Sequence, residues 1–254
     1  MASLVDSLTT WIGRHVNATR ADGLVVGLSG GIDSAVVARL CQLALPDAVV
    51  GVLLPCHSDP QDAADARLVA THFDLRTMTV RLDAPYDAFT AELNTELSAL
   101  PENRQATGDE TLRLALANVK PRLRMTSLYF IANALDYLVV GTGNRSELAI
   151  GYYTKHGDGG VDLLPIGNLL KGEVRELAEE LGVPRPIIDK APSAGLWVGQ
   201  TDEAEMGFSY AVLESYLRDG PGGVSPALAL RIERLTRLSE HKRELPPRPP
   251  AEPA

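Results

Sequence analysis

The stretch Leu24-Val-Val-Gly-Leu-Ser-Gly-Gly-Ile-Asp-Ser-Ala35 decides how this chain is read. An apolar run ends at Leu28, two glycines follow Ser29, and Asp33 and Ser34 lead into an apolar helix start. In an open parallel sheet, ligands bind beyond the carboxyl ends of the strands, which is where this turn falls. Gly30 and Gly31 can take positive φ and aim successive N–H groups into one concavity. The helix that follows adds its free amides and partial positive charge. With the hydroxyls of Ser29 and Ser34, this is a cradle for phosphate or pyrophosphate. The spacing is neither that of a Walker A loop, whose lysine is missing, nor G-x-G-x-x-G. Asp33 is out of place in a site for phosphate alone. A divalent cation shared between Asp33 and the phosphates resolves the conflict. On its own, the stretch also reads as a tight turn with Asp33 capping a helix.

Outward from this turn, strand and helix patterns alternate. Residues 24–28, 48–54, 75–82 and 137–142 read as strands, and 34–45, 59–73, 83–100 and 111–134 as helices. Pro121 is expected to break the last of these near Val119–Lys120. The alternation predicts an α/β fold, Rossmann-like and doubly wound, with a mainly parallel sheet and helices on both faces. Ahead of it, residues 1–20 read as an amphipathic helix with Leu4, Val5, Leu8, Trp11, Ile12, His15 and Val16 on one face. After Gly143 the chain turns glycine-rich and polar, and a segment that long without periodicity points to function. Later helices are expected at 171–181, 209–218 and 226–242. Residues 1–245 read as one domain and the proline-rich 246–254 as a disordered tail.

Composition narrows the class. The chain has 254 residues and a formal charge of −9, which disfavours a broad nucleic-acid or membrane surface. Aromatic residues make up only 5%, so the core must be aliphatic. No run of about 18 apolar residues occurs, so no membrane span is expected. Cys41 and Cys56, far apart in sequence, form neither a disulfide framework nor a zinc site, and a reducing cytoplasm is expected. Cys56-His57 invites a thiol–imidazole reading, but neighbours in an extended segment point opposite ways and no third group orients them.

Ser29-Gly-Gly-Ile-Asp-Ser34 after a first strand resembles the PP-loop of the ATP pyrophosphatases, which cleave ATP between the α and β phosphates. Further stretches resemble one branch, the NAD synthetases. They are Asn118-Val-Lys-Pro-Arg-Leu-Arg-Met125, Gly141-Thr-Gly-Asn-Arg-Ser-Glu147, Tyr153-Thr-Lys-His-Gly-Asp-Gly-Gly-Val-Asp162, Leu169-Leu-Lys-Gly-Glu173, Lys190-Ala-Pro-Ser-Ala194, the acidic run from Thr201 to Tyr210, and Glu240-His-Lys-Arg243. The resemblance implies an adenine-nucleotide α-hydrolase-like fold. It also implies Mg2+-dependent amidation of nicotinate adenine dinucleotide (deamido-NAD) through an acyl-adenylate, with ATP as co-substrate. It places Asp33, Glu147 and Lys171 in the catalytic set, with Asp33 and Glu147 as metal ligands. ATP would meet Gly27, Leu28, Ser29, Gly30, Gly31, Ile32, Asp33, Ser34, Thr142, Lys171 and Ser193. The dinucleotide would meet Arg122, Lys155, Asp162, His241 and Lys242, at the interface of a homodimer. Read without the resemblance, Lys171 is an exposed helix lysine and 240–243 a polar helix end.

In two places the chain departs from the family pattern: Gly143 and Gly195 stand where many members carry aspartate. The PP-loop begins near residue 29, which leaves no room ahead of it for a fused glutaminase, so free ammonia is the expected nitrogen donor. Rival readings are another PP-loop ATPase and a nucleotide sensor without turnover. Sulfur-transfer members of the first class need paired cysteines, and intact Asp33, Glu147 and Lys155 argue against the second.

Overall fold

The computed structural model describes residues 3–101, 108–193, 195, 197 and 199–249. Helix α1 (Leu4–Thr19) is started by a capping box. Ser3 Oγ accepts from the Asp6 amide at 3.1 Å, and Asp6 returns the bond at 3.2 Å. Strand β1 (Gly23–Gly27) and helix α2 (Ile32–Ala44) follow, so the helix starts two residues before its expected Ser34. Then come β2 (Val49–Leu53) and α3 (Pro60–His72), the latter capped by Asp59 with proline in its first turn, as expected.

The strand expected over 75–82 shrinks to β3 (Thr77–Thr79), all three residues exposed. It pairs with β2 on one side only. Its flanks still follow β2 through Val80 N–H to Leu53 O and Leu82 N–H to Pro55 O. A polar edge strand gains little burial, so regular pairing stops early. Helices α4 (Asp83–Ser98), α5 (Asp109–Ala117) and α6 (Val119–Leu135) lead to β4 (Tyr137–Val140). The break between α5 and α6 falls at Asn118, next to where it was expected. Pro121 then sits in the first turn of α6, where a missing N–H costs nothing.

The four strands form one parallel sheet in the order β3-β2-β1-β4. Val25 lies between Val50 of β2 and Val139 of β4. The winding therefore reverses between β1 and β4, and a doubly wound sheet opens its ligand crevice at such a switch point. Leu24, Val26, Leu28, Val49 and Val140 face one side with α1, α2, α3 and the later helices α8 (Lys171–Glu180) and α9 (Arg185–Ile188). Val25, Val50, Val52 and Val139 face the other side with Ile131 and Ala132 of α6. Helices thus cover both faces.

The long segment after β4 is irregular apart from α7 (Arg145–Ile150). A smaller apolar cluster joins Ile150 of α7 to α10 (Asp202–Met206), α11 (Tyr210–Asp219) and α12 (Pro226–Leu238). Helix α12 stops at Leu238 and a 3-10 turn carries Glu240–Lys242, where one continuous helix was expected. The Ser239 hydroxyl at the break donates to Leu235 O at 2.8 Å. Part of the proline-rich tail, 250–254, lies outside the described residues, as do 102–107 of the polar connection. No helix of the described residues is long and apolar enough to cross a membrane.

The apolar stripe of α1 is narrower than its periodicity suggests. Ile12 and Val16 are in the core, with Val5 and Leu8 packed against it, while Leu4 and Trp11 are exposed. Ile12 is fully enclosed, so Ile12→Ala is expected to cost about 2–4 kcal/mol in urea unfolding. A cost within error of zero would show that α1 is peripheral.

Candidate active site

The turn after β1 is closed by its own hydroxyls. Ser29 and Ser34 Oγ are 3.1 Å apart, Ser34 Oγ donates to Gly31 O at 2.9 Å, and the Gly31 amide donates to Ser29 Oγ at 3.2 Å. Gly30 has φ of 80°, and a Cβ there would lie 2.4 Å from Asp62 O. Backbone conformation and the close pass of α3 both demand glycine. Gly31 caps α2 without a side-chain hydrogen bond, so the first-turn amides stay available to an anion.

Three helix starts converge beside this cradle. Asp33 stands in the first turn of α2, Glu147 in the first turn of α7, and Lys171 opens α8. Lys171 Nζ donates to Asp33 Oδ2 and lies 3.6 Å from Glu147 Oε1. Lys171 is buried, which corrects the reading of it as an exposed helix lysine. Asn144, fully buried, ties the carboxylates together. Its Nδ2 donates to Asp33 Oδ1 at 3.0 Å, its Oδ1 accepts the Glu147 amide at 3.1 Å, and its amide donates to Glu147 Oε2 at 3.2 Å. Glu147 therefore caps its helix with one oxygen and faces Lys171 with the other.

Burial, and then the charge of Asp33, push the Glu147 carboxyl up to about 8. Burial alone would lower Lys171, but Asp33 and Glu147 outweigh it and hold the ammonium above the ordinary lysine range. Among the described residues, no three His, Cys, Asp or Glu side chains surround one point. The chain thus offers two hard carboxylates beside a phosphate cradle. That donor set suits Mg2+, which takes one or two carboxylates and draws further oxygens from phosphate and water.

A cavity of about 450 Å3 opens over this junction. Gly27, Leu28, Ser29, Gly31, Ile32, Asp33, Ser34, Thr142, Glu147, Lys171, Ser193 and Lys242 line it, and Gly30 lies behind. Arg122, Lys155, Asp162 and His241 do not line it. Lys155 Nζ donates to His241 O, Arg122 Nη2 reaches Lys155 O at 3.4 Å, and Lys242 Nζ donates to Gly151 O and Tyr153 O, each at 2.6 Å. These four form one rim group. Asp162 stands apart and serves the sheet instead. It accepts the Val139 amide at 2.8 Å and the Tyr129 hydroxyl at 2.9 Å.

Sequence reasoning missed the acidic back wall. Asp202, buried at 4% exposure, accepts from Tyr210 OH at 2.8 Å through Oδ2, and Tyr152 also stabilises its carboxylate. Burial raises its carboxyl pKa, and Tyr210 and Lys171 oppose the rise. Glu205 accepts from Gln200 at 2.6 Å and from Tyr152. The only sequence signal was the acidic run itself, and its spacing does not show which acid turns inward. Arg124 was also missed; it lines the cavity and donates to Leu54 O and Ser58 Oγ, each at 3.1 Å.

His57 takes φ of 48° rather than the extended conformation expected, and carboxylates do face its ring, so both grounds given for separating it from Cys56 are corrected. The thiol is buried near Leu82 O, and His57 faces Asp87 at 2.7 Å. Gly195 has φ of 62°, so an aspartate there would be strained, whereas Gly143 has room for a side chain.

Gly30→Ala should lose at least the roughly 1–2 kcal/mol of a left-handed residue in thermal unfolding, and nucleotide binding with it. For Glu147 the folded pKa is raised, so its stabilising effect is complete below about pH 4.5 and is lost as pH climbs toward 8. Metal-free Glu147→Gln should therefore melt above wild type at pH 8 and above. Each tenfold change in proton affinity between the folded and unfolded carboxyl is worth up to about 1.4 kcal/mol of that gain. Equal melting across pH 5–9 would contradict the assignment.

Comparison with known proteins agrees with this geometry. The NAD synthase family model matches residues 4–246. The NH3-dependent NAD(+) synthetase of Carboxydothermus hydrogenoformans is 52% identical, covering 95% of this chain and 94% of that one. Among solved structures, NMN synthetase from Francisella tularensis superposes with a TM-score of 0.87 at 36% identity, over 97% of each chain. NH3-dependent NAD synthetase from Campylobacter jejuni gives 0.77 at 28%, also over 97% of each. The phosphate cradle, the buried lysine between two acids and this likeness over nearly the whole length agree: the chain belongs to the NAD synthase family, whose members are ligases that form a C–N bond.

Proposed function

We propose that this chain amidates nicotinate adenine dinucleotide with ATP and free ammonia, using Mg2+. The observation that carries the reading is the Asp33–Lys171–Glu147 junction at the mouth of the anion cradle. A free carboxylate is a poor electrophile. Its oxygen attacks the α-phosphorus of ATP, the bond to the β-phosphate oxygen breaks, and pyrophosphate leaves. Ammonia then adds to the acyl carbon, the adenylate oxygen departs with AMP, and the ammonium proton is lost.

Each protein group has a place in that sequence. The free first-turn amides at the α2 N-terminus hold the departing pyrophosphate, where negative charge grows. Lys171 keeps a positive charge against the same phosphates. Asp33 and Glu147 would hold Mg2+, which when bound neutralises polyphosphate charge. Thr142 and Ser193 contact ATP from the cavity wall. Arg122, Lys155 and Lys242 gather cations beside the His241 ring for the dinucleotide, which explains how an acidic chain takes a polyanion. Asp162 serves that rim indirectly by fixing β4. Asp202, a buried acid that lines the cavity, suits an incoming ammonium that must shed its proton.

Ammonia as donor is supported by the names of the relatives. Arg122 and His241, exposed outside the cavity, support a homodimer in which a second copy completes the dinucleotide site. Two free, buried thiols at Cys41 and Cys56 support a cytoplasmic setting.

The likeness to an NMN synthetase favours a second substrate, the mononucleotide. Lys155 and Lys242 spend their ammonium groups on backbone carbonyls, so the added adenylate half has few free cations on this face. The deciding assay supplies ATP and Mg2+ with either nucleotide, and ammonium or glutamine. Pyrophosphate and amide should form with ammonium and not with glutamine, with higher kcat/KM for the dinucleotide. A higher value for the mononucleotide would reverse the substrate assignment, and equal rates with glutamine would refute ammonia as the direct donor. Asp33→Asn should lower kcat/KM by about 100-fold or more while melting within a few degrees of wild type. Near-wild-type rates would remove Asp33 from the mechanism.

A further inference from the structure

Helix α8 delivers Lys171 to the junction, yet the residue at its N-cap cannot cap it. Leu170 stands there and has no side-chain acceptor for the first-turn amides. The Glu173 carboxylate takes the Leu170 amide at 2.7 Å. The next two amides are taken by side chains from other elements. Ser146 Oγ of α7, fully buried, accepts the Lys171 amide at 3.2 Å. Glu214 Oε1 of α11 accepts the Gly172 amide at 2.6 Å. Glu214 is itself buried, at 8% exposure, and Arg218 Nη2 lies 3.8 Å from its Oε2. Gly172 lets the acid come this close, because a Cβ there would lie 3.0 Å from Oε2. Neither Gly172 nor Glu214 lines the cavity, whereas Lys171 does. The start of α8 is therefore seated from behind by a carboxylate 42 positions further along the chain.

We propose that Glu214 is a positioning residue for the adenylation step: from outside the cavity it fixes the first turn of α8 and so holds the Lys171 ammonium in register with Asp33, Glu147 and the phosphates of ATP. The proposal rests on the amidation reading above. A lysine side chain is long and flexible, so the place of its ammonium depends on its partners and on where its backbone starts. When ATP enters with its cation, Asp33 and Glu147 gain a competing partner, and the backbone anchor becomes the constraint that stays. A charged acceptor at the positive end of α8 makes that anchor firm. An ammonium aimed at charge that grows in the transition state raises kcat, and a shift of about 1 Å removes much of the effect.

The test follows pyrophosphate release with the dinucleotide. It reads kcat and the KM for ATP in wild type, Glu214→Ala, Glu214→Gln, Lys171→Met and the double variant Glu214→Ala with Lys171→Met. Glu214→Ala should stay folded at the assay temperature and lower kcat by about tenfold or more, with the KM for ATP within about threefold. Glu214→Gln keeps an oxygen for the Gly172 amide and should recover to within about threefold of wild type. In the Lys171→Met chain, Glu214→Ala should cost less than about twofold further, because the group it positions is already gone. An unchanged kcat in Glu214→Ala, or a glutamine variant as slow as the alanine one, would overturn the proposal. So would the same fold loss with and without Lys171, or a Glu214→Ala chain that does not fold, since either makes Glu214 a prop of the fold at large. Wild type that releases no pyrophosphate would instead defeat the amidation reading, and that control separates the two failures.

Discussion

A single ammonium, Lys171 Nζ, sits between two acids that α2 and α7 deliver from opposite sides of the sheet switch point. Polyphosphate chemistry sets the constraint behind it. The cradle needs uncompensated N–H groups to hold an anion, yet a site for ATP also needs carboxylates to hold the cation that travels with it. Placed together without relief, carboxylate and phosphate repel. The fold meets the conflict by seating each acid in the first turn of a helix, where the dipole offsets negative charge, and by burying a lysine between them. Burial, and then the charge of Asp33, still raise the proton affinity of Glu147.

The geometry also orders the site. The anion cradle, the acidic wall around Asp202 and Lys242 all line one cavity, while Arg122, Lys155 and His241 lie outside it. Charge therefore changes sign across a short distance, from amides through carboxylates to lysines and arginine. The −9 total conceals that pattern, because affinity for a polyanion depends on where the cations gather.

Much of this was legible in the sequence, and for physical reasons. The run from Leu24 to Ala35 combines strand, nest and helix start in consecutive residues, so its structure is local and its chemistry could be read directly. The βα alternation forced a parallel sheet, and the helix expected across Pro121 divides at Asn118, which leaves the proline in a first turn where no N–H is needed. What failed was everything set by tertiary partners. The length of β3 depended on its lying at an edge. The burial of Lys171 depended on Asp33, 138 positions earlier in sequence. Asn144 looked like a loop residue and proved to be the strut between the two acids. Asp202 could not be told from Glu203 or Glu205 until α10 and Tyr210 were placed. Asp162, expected at the dinucleotide, accepts bonds from Tyr129 and the Val139 amide, partners that its sequence position does not show.

The central claim is that Asp33 and Glu147 are arranged for a cation that arrives with polyphosphate. Electron paramagnetic resonance of Mn2+ with the uncleavable analogue α,β-methylene ATP tests it without turnover. Wild type should bind one Mn2+ tightly per chain in the presence of the analogue and weakly in its absence. Asp33→Asn should weaken that site by about tenfold or more while still binding the analogue's adenosine. Mn2+ binding of equal strength in the variant, or no tight site in wild type with the analogue bound, would contradict the account.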